Sequence, residues 1–140
     1  MKSNLETYLK CVLKVKIPGV IIIDAPSGFG KTSILKKLRD TESPNMQIYS
    51  TEEIVLEYLE HYRKYGDAIP FYKNPIFHKS DVFVIEDIDL LKDKQISLSI
   101  LAETINELKN IRFILTGINL QNRMKKFLEQ LYKTIIIIGE

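Results

Sequence analysis

The sequence predicts an α/β fold in which a parallel sheet is covered by helices on both faces. Two observations carry this. Short, almost uninterrupted aliphatic segments recur along the chain, as at Val20–Ile23 and Ile135–Ile138, and such runs are the pattern of strands buried on both sides. Longer amphipathic segments alternate with them, so successive strands are joined by helical crossovers that wrap the sheet in three layers. With 140 residues, 45% of them hydrophobic and 27% charged, the chain is expected to form one domain, 1–140, with enough apolar material for a core.

The elements follow in order. A first helix is predicted over Asn4–Val15, and Pro18-Gly19 turns the chain into the first strand, Val20–Ile23. Lys31–Arg39 reads as the next helix, ended by a loop containing Ser43-Pro44-Asn45. Met46–Tyr49 is a short second strand, polar at Gln47. Ser50-Thr51-Glu52-Glu53 then has the spacing of a capping box, which predicts a helix over Glu52–Tyr65. Gly66–Ser80, with Pro70 and Pro75, is expected to be irregular. Val82–Ile85, Arg112–Leu115 and Ile135–Ile138 are the remaining strands. Ile96, Ile100, Ile105 and Leu108 mark one intervening helix, and Leu120–Leu131 another.

Net charge is +2, with 20 basic and 18 acidic residues, so any phosphate contact must be local rather than a property of the whole surface. The single cysteine, Cys11, excludes an internal disulfide and is expected to be a small buried hydrophobe. Lys10, Lys14 and Lys16 interrupt the apolar N-terminal residues and no small-residue cleavage site follows, which argues against a signal peptide. The aliphatic runs are too short to span a bilayer. A soluble cytoplasmic protein with no membrane partner is expected.

One segment carries specific chemistry. Ala25-Pro26-Ser27-Gly28-Phe29-Gly30-Lys31-Thr32 matches the Walker A pattern, with alanine in place of its first glycine. The motif needs a strand before it and a helix after it, because loop amides and the helix start together cradle phosphate oxygens. Both neighbours are predicted here. Gly28 and Gly30 let the backbone curl toward the ligand. Lys31 is assigned to the β- and γ-phosphates of ATP or ADP, and the Thr32 hydroxyl to Mg²⁺. An incidental glycine-containing turn is the plain alternative.

Downstream, Val82-Phe83-Val84-Ile85 ends in Glu86-Asp87, the layout of a Walker B strand. Glu86 is assigned to the metal and Asp87 to the attacking water, the alternative being two solvated acids that close a buried strand. After the next strand comes Thr116-Gly117-Ile118-Asn119. A polar group there can touch the γ-phosphate or its attacking water; Thr116 is the first candidate and Asn119 the second, against a turn that merely closes the strand.

These three segments, in this order, resemble the AAA+ ATPase core of the DnaA family. The likeness is best at Asp81–Leu91 and Ile111–Thr116, extends to Met46–Glu53, and covers most of Ile17–Glu140 at motif level. It implies a P-loop NTPase with a five-stranded parallel sheet in the order 5-1-4-3-2. It also implies a role in DNA replication initiation or its regulation, exercised through protein partners of the replication machinery, with self-association as a further implication. The sequence departs from the family at Glu86, where an aspartate is usual, and near the arginine-finger position. There Arg123-Met124 is followed by Lys125, Lys126 and Gln130, without a clear finger. No counterpart of the helical lid or of the double-stranded DNA-binding domain is recognised. Slow or partner-dependent hydrolysis is therefore expected. The alternatives are a non-hydrolysing interaction module with a vestigial site and a small P-loop kinase; against the latter, Leu120–Tyr132 has no arginine-rich lid. Tyr62, Arg63, Lys64, Tyr65, Phe71, Tyr72, Lys73 and Lys79 mix aromatic and basic character suited to single-stranded nucleic acid, although core aromatics beside solvated lysines give the same composition. His61 and His78 have no partner at metal-ligand spacing.

Overall fold

The structure, a computed structural model, describes residues 2–15, 19–25, 31–42 and 45–139. Five strands, β1 (Val20–Asp24), β2 (Met46–Ser50), β3 (Val82–Glu86), β4 (Arg112–Gly117) and β5 (Ile135–Gly139), form one sheet in the order β2-β3-β4-β1-β5. Every pairing is parallel. Read from the other edge, this is the expected order 5-1-4-3-2.

Period-two alternation divides each strand between two cores. Val20, Ile22, Phe83, Ile85, Phe113 and Leu115 face one side, where α3 (Thr51–Tyr65) and α4 (Gln95–Glu107) pack. Ile21, Ile23, Val82, Val84 and Ile114 face the other, covered by Leu5 and Leu9 of α1 (Lys2–Val15) and by Ile34, Leu35 and Leu38 of α2 (Lys31–Thr41). Both faces are thus covered at the centre of the sheet, which is why β1, β3 and β4 are apolar through their middles. Full burial of each such side chain contributes about 1.5–3 kcal/mol relative to exposure.

The capping box forms as expected: Ser50 Oγ accepts from the Glu53 amide at 3.1 Å, and the Ser50 amide donates to Glu53 Oε1 at 2.9 Å. Four other expectations are refined. Leu120–Leu131 is two short helices, α5 (Leu120–Arg123) and α6 (Lys125–Glu129), broken at Met124, whose backbone leaves the helical region at φ −119°. Buried Met124, Phe127 and Leu131 keep helical spacing across that break, so periodicity does not reveal it. In α4 the inward stripe is Leu98, Leu101, Ala102 and Ile105, while Ile96 is 78% exposed. Two residues before Leu98, it lies about 200° around the helix from that stripe. Cys11 is exposed for the same reason, two residues past buried Leu9.

The fourth concerns residues 66–80, which hold two 3₁₀ turns, Phe71–Lys73 and Pro75–Lys79, anchored by Phe71 and Phe77 in the core. Buried His61 pins this segment. Its Nδ1 lies 3.1 Å from Asn74 Nδ2 and its Nε2 lies 2.7 Å from the Ile69 carbonyl, so a neutral ring accepts from one and donates to the other. With Phe71 buried, it is not available to stack on a base; Tyr62 and Tyr65 stay accessible.

At the N-terminal edge of the sheet, Lys133 Nζ donates to the carbonyls of Leu108 (2.6 Å) and Ile111 (2.8 Å) and sits 5.0 Å from the centre of the Phe113 ring. Burial lowers its pKa from 10.5 to about 8. A lowered lysine pKa means that the native state binds the proton less well than the unfolded chain does. The charge-burial penalty is therefore present in full below pH 8 and is relieved as pH rises toward 10.5. Urea unfolding at pH 7.5 and pH 10 should show wild type gaining stability with pH relative to Lys133→Met.

Candidate phosphate-binding site

In parallel sheets, ligands bind at the carboxyl ends of the strands, and the candidate residues lie there. β1 ends at Asp24 and runs into Ala25, β3 ends at Glu86, and β4 ends at Gly117. The register sets Asp24 opposite Gly117, and the Ala25 amide donates to the Gly117 carbonyl at 3.1 Å.

Lys31 is the first residue of α2 and only 8% exposed. Its Nζ donates to the carbonyls of Ala25 (2.8 Å) and Gly117 (3.3 Å). Among the described residues no carboxylate forms an ion pair with it. Among the described residues this ammonium meets neutral carbonyls and no countercharge, and an anion beside it would offset the cost of burying it.

The neighbouring Thr32 Oγ1 donates to Glu86 Oε2, so the longer glutamate side chain does reach the metal-assigned hydroxyl. Thr51 Oγ1 donates to the Glu86 carbonyl at 2.7 Å and fixes the end of β3 against the start of α3. Among the described residues no group of three or more His, Cys, Asp or Glu side chains could hold a metal ion. The Thr32 hydroxyl and Glu86 carboxylate are instead two oxygen donors at one point. This suits Mg²⁺, which keeps several waters and takes its other ligands from phosphate.

Asp87 follows in the left-handed region, φ 63° and ψ 45°, with its side chain exposed. Its amide donates to Thr116 Oγ1 at 3.2 Å. Buried Thr116 thus holds the turn that carries Asp87, besides being a candidate for direct phosphate contact. Asn119 also has positive φ, and its Oδ1 accepts from Asn122 Nδ2 at 2.8 Å, so this side chain is used within its own turn. Pro26, Ser27, Gly28, Phe29 and Gly30 lie outside the described residues.

Three residues that build this site were not singled out from the sequence. Asp24 Oδ2 accepts from the Gln121 amide at 3.1 Å, and Asp89 Oδ1 accepts from the Ile118 amide at 3.3 Å. Gly117 sits between, where a Cβ would lie 2.5 Å from Leu120 Cδ2 and 2.7 Å from Asp89 Oδ1. An aspartate ending an aliphatic strand was the available signal for Asp24; the crowding at Gly117 is set by tertiary packing and leaves no local mark.

No protein-family model matches the chain, and no curated protein matches it in sequence. Solved structures do. A DNA replication initiation factor aligns with 97% of this chain and 45% of its own at TM-score 0.69 and 18% identity. The replication initiator DnaA bound to AMPPCP and single-stranded DNA aligns with 87% of this chain and 40% of its own, at TM-score 0.64 and 16% identity. Domain III of Thermotoga maritima DnaA aligns with 95% of this chain and 62% of its own, at TM-score 0.60 and 21% identity. The fold is similar to that of DnaA. The chain spans less than half the length of the first two proteins and 62% of the third. At these identities the likeness establishes the DnaA-like fold alone.

Proposed function

We propose that this DnaA-like chain binds ATP or ADP with Mg²⁺ at the ends of β1, β3 and β4, and acts in replication initiation or its regulation through protein partners. The observation that supports it most is the junction of Lys31, Thr32 and Glu86: a nearly buried ammonium with no countercharge among the described residues, beside a hydroxyl bonded to a carboxylate. Lys31 binds the phosphate chain, and Thr32 with Glu86 holds Mg²⁺, which when bound neutralises charge on the phosphates. Asp87 orients water, aided by the Thr116 hydroxyl that fixes its turn. Ala25 through Gly30 supply the rest of the phosphate cradle, and Asn119 is the second polar candidate at the end of β4. That a similar fold belongs to an initiator bound to AMPPCP supports the nucleotide reading.

Glu86→Gln keeps shape and hydrogen bonding to Thr32 but removes the negative charge. Titrating a fluorescent ATP analogue should give at least tenfold weaker binding for the variant in Mg²⁺ and little difference in EDTA. Equal loss in both conditions would remove Glu86 from the metal site. Without an assigned arginine finger, the isolated protein should hydrolyse ATP far below the roughly 1–100 s⁻¹ of kinases. Steady-state phosphate release in that range would contradict the slow-hydrolysis reading.

A further inference from the structure

β5 is an edge of the sheet, paired with β1 on one side and, among the described residues, with no strand on the other. The register shows which of its backbone groups face outward. The Val20 amide donates to the Thr134 carbonyl at 2.9 Å, and Val20 stands opposite Ile135. In a parallel ladder, alternate residues of a strand turn both amide and carbonyl toward the same neighbour. Ile136 and Ile138, in phase with Thr134, therefore turn their backbone polar groups to β1, whereas Ile135, Ile137 and Gly139 turn theirs to the open edge. Nothing in these five residues discourages a further strand. Ile135-Ile136-Ile137-Ile138-Gly139 holds no charge and no proline, and it pairs with β1 residue for residue, without a bulge. Charges, prolines and bulges are the devices that ordinarily close sheet edges to other chains. At the opposite edge, by contrast, β2 sets the polar residues Gln47 and Ser50 among its apolar ones.

We infer that the free edge of β5 is a self-association surface, occupied by β5 of a second copy of this chain running antiparallel about a two-fold axis at Ile137. Symmetry selects this occupant. Ile137 is the middle one of the outward residues, so the axis sets it against the second copy's Ile137 and sets Ile135 against the second copy's Gly139. In each such pair both residues offer an amide and a carbonyl to one another, the closely bonded pair of an antiparallel ladder, and no outward group of β5 is left over. The side chains fit the same register. Ile135 and Ile137 project on one face of the strand, where Ile135 packs against the sheet core and Ile137 is 44% exposed. The two Ile137 side chains would cover one another, and Gly139 leaves room beside the second copy's Ile135. With no charged side chain on the strand, nothing in it selects a charged partner instead. The pair closes at two copies and joins both sheets into one.

The test uses the full chain without nucleotide. Sedimentation equilibrium is measured from low micromolar to submillimolar concentration, and residue-resolved amide exchange is followed by NMR at both ends of that range. Mass should rise with concentration from one copy toward two. In the concentrated sample the amides of Ile135, Ile137 and Gly139 should gain at least tenfold protection, while those of Ile136 and Ile138, already bonded to β1, should gain far less. Ile137→Lys sets two ammonium groups against each other across the axis and should weaken association tenfold or more. Ile137→Val keeps a β-branched apolar surface and should retain it, and circular dichroism checks that both variants fold. A single-copy mass at every concentration overturns the inference, as does a dimer that Ile137→Lys leaves intact. So does a dimer whose outward amides exchange as in the monomer. Outward amides protected equally at both concentrations would overturn it too, by showing that the chain covers its own edge. The exchange pattern of wild type decides between these results even if a variant does not fold. Failure of nucleotide binding at Lys31 would leave the test unaffected.

Discussion

Phe83→Ala should destabilise the protein by about 3–5 kcal/mol, the range for removing a fully buried aromatic from a core. Phe83, the second residue of β3, is 0% exposed. It stacks on Tyr49 with centroids 5.1 Å apart, meets Phe77 at 4.9 Å, and meets Phe113 at 5.9 Å. Phe77 in turn packs edge-on against Phe71 at 5.1 Å, so one ring joins the sheet to the 3₁₀ segment pinned by His61. The alanine would leave a cavity bounded by rigid strands, which relax only partly. Against a usual total stability of about 5–15 kcal/mol, this is enough to unfold a marginal domain. Urea unfolding measures it. Phe83→Leu should lose less, and a loss below about 1 kcal/mol for Phe83→Ala would show that the aromatic cluster is not the centre of this core.

The fold was legible because both faces of the sheet are buried. Continuous aliphatic runs located all five strands to within about two residues, and the Ser50–Glu53 spacing located the start of α3. Spacing did not reveal the break at Met124, since helical periodicity continues through it. Spacing also placed Ile96 in the apolar stripe of α4, where Leu98 is the residue turned inward and Ile96 is exposed, a choice made by the sheet beneath α4. The sheet order came from the family resemblance, since periodicity carries no information on which strands are neighbours.

Motif spacing singled out Lys31, Thr32, Glu86, Asp87 and Thr116 as candidates, and the fold brings them together at the carboxyl ends of β1, β3 and β4. The supporting contacts were hidden. Asp24 to Gln121 spans 97 residues, Thr51 to Glu86 spans 35, and Ile118 to Asp89 spans 29.

The Lys31 ammonium is proposed to take up a phosphate oxygen. Two of its three N–H donors go to the carbonyls of Ala25 and Gly117, which leaves one for the phosphate chain, and a charge-assisted hydrogen bond contributes about 1.5–3 kcal/mol. Its loss should cost about one to two orders of magnitude in affinity. Because its partners among the described residues are the backbone carbonyls of Ala25 and Gly117, Lys31→Ala removes no countercharge from a described side chain, and the fold should survive. The measurement is a calorimetric titration with ATP and Mg²⁺ of wild type beside Lys31→Ala, at protein concentrations where circular dichroism shows both folded. Saturable heat from wild type that the variant lacks is the predicted result; identical heats, or none from wild type at millimolar ATP, would contradict a functioning phosphate site.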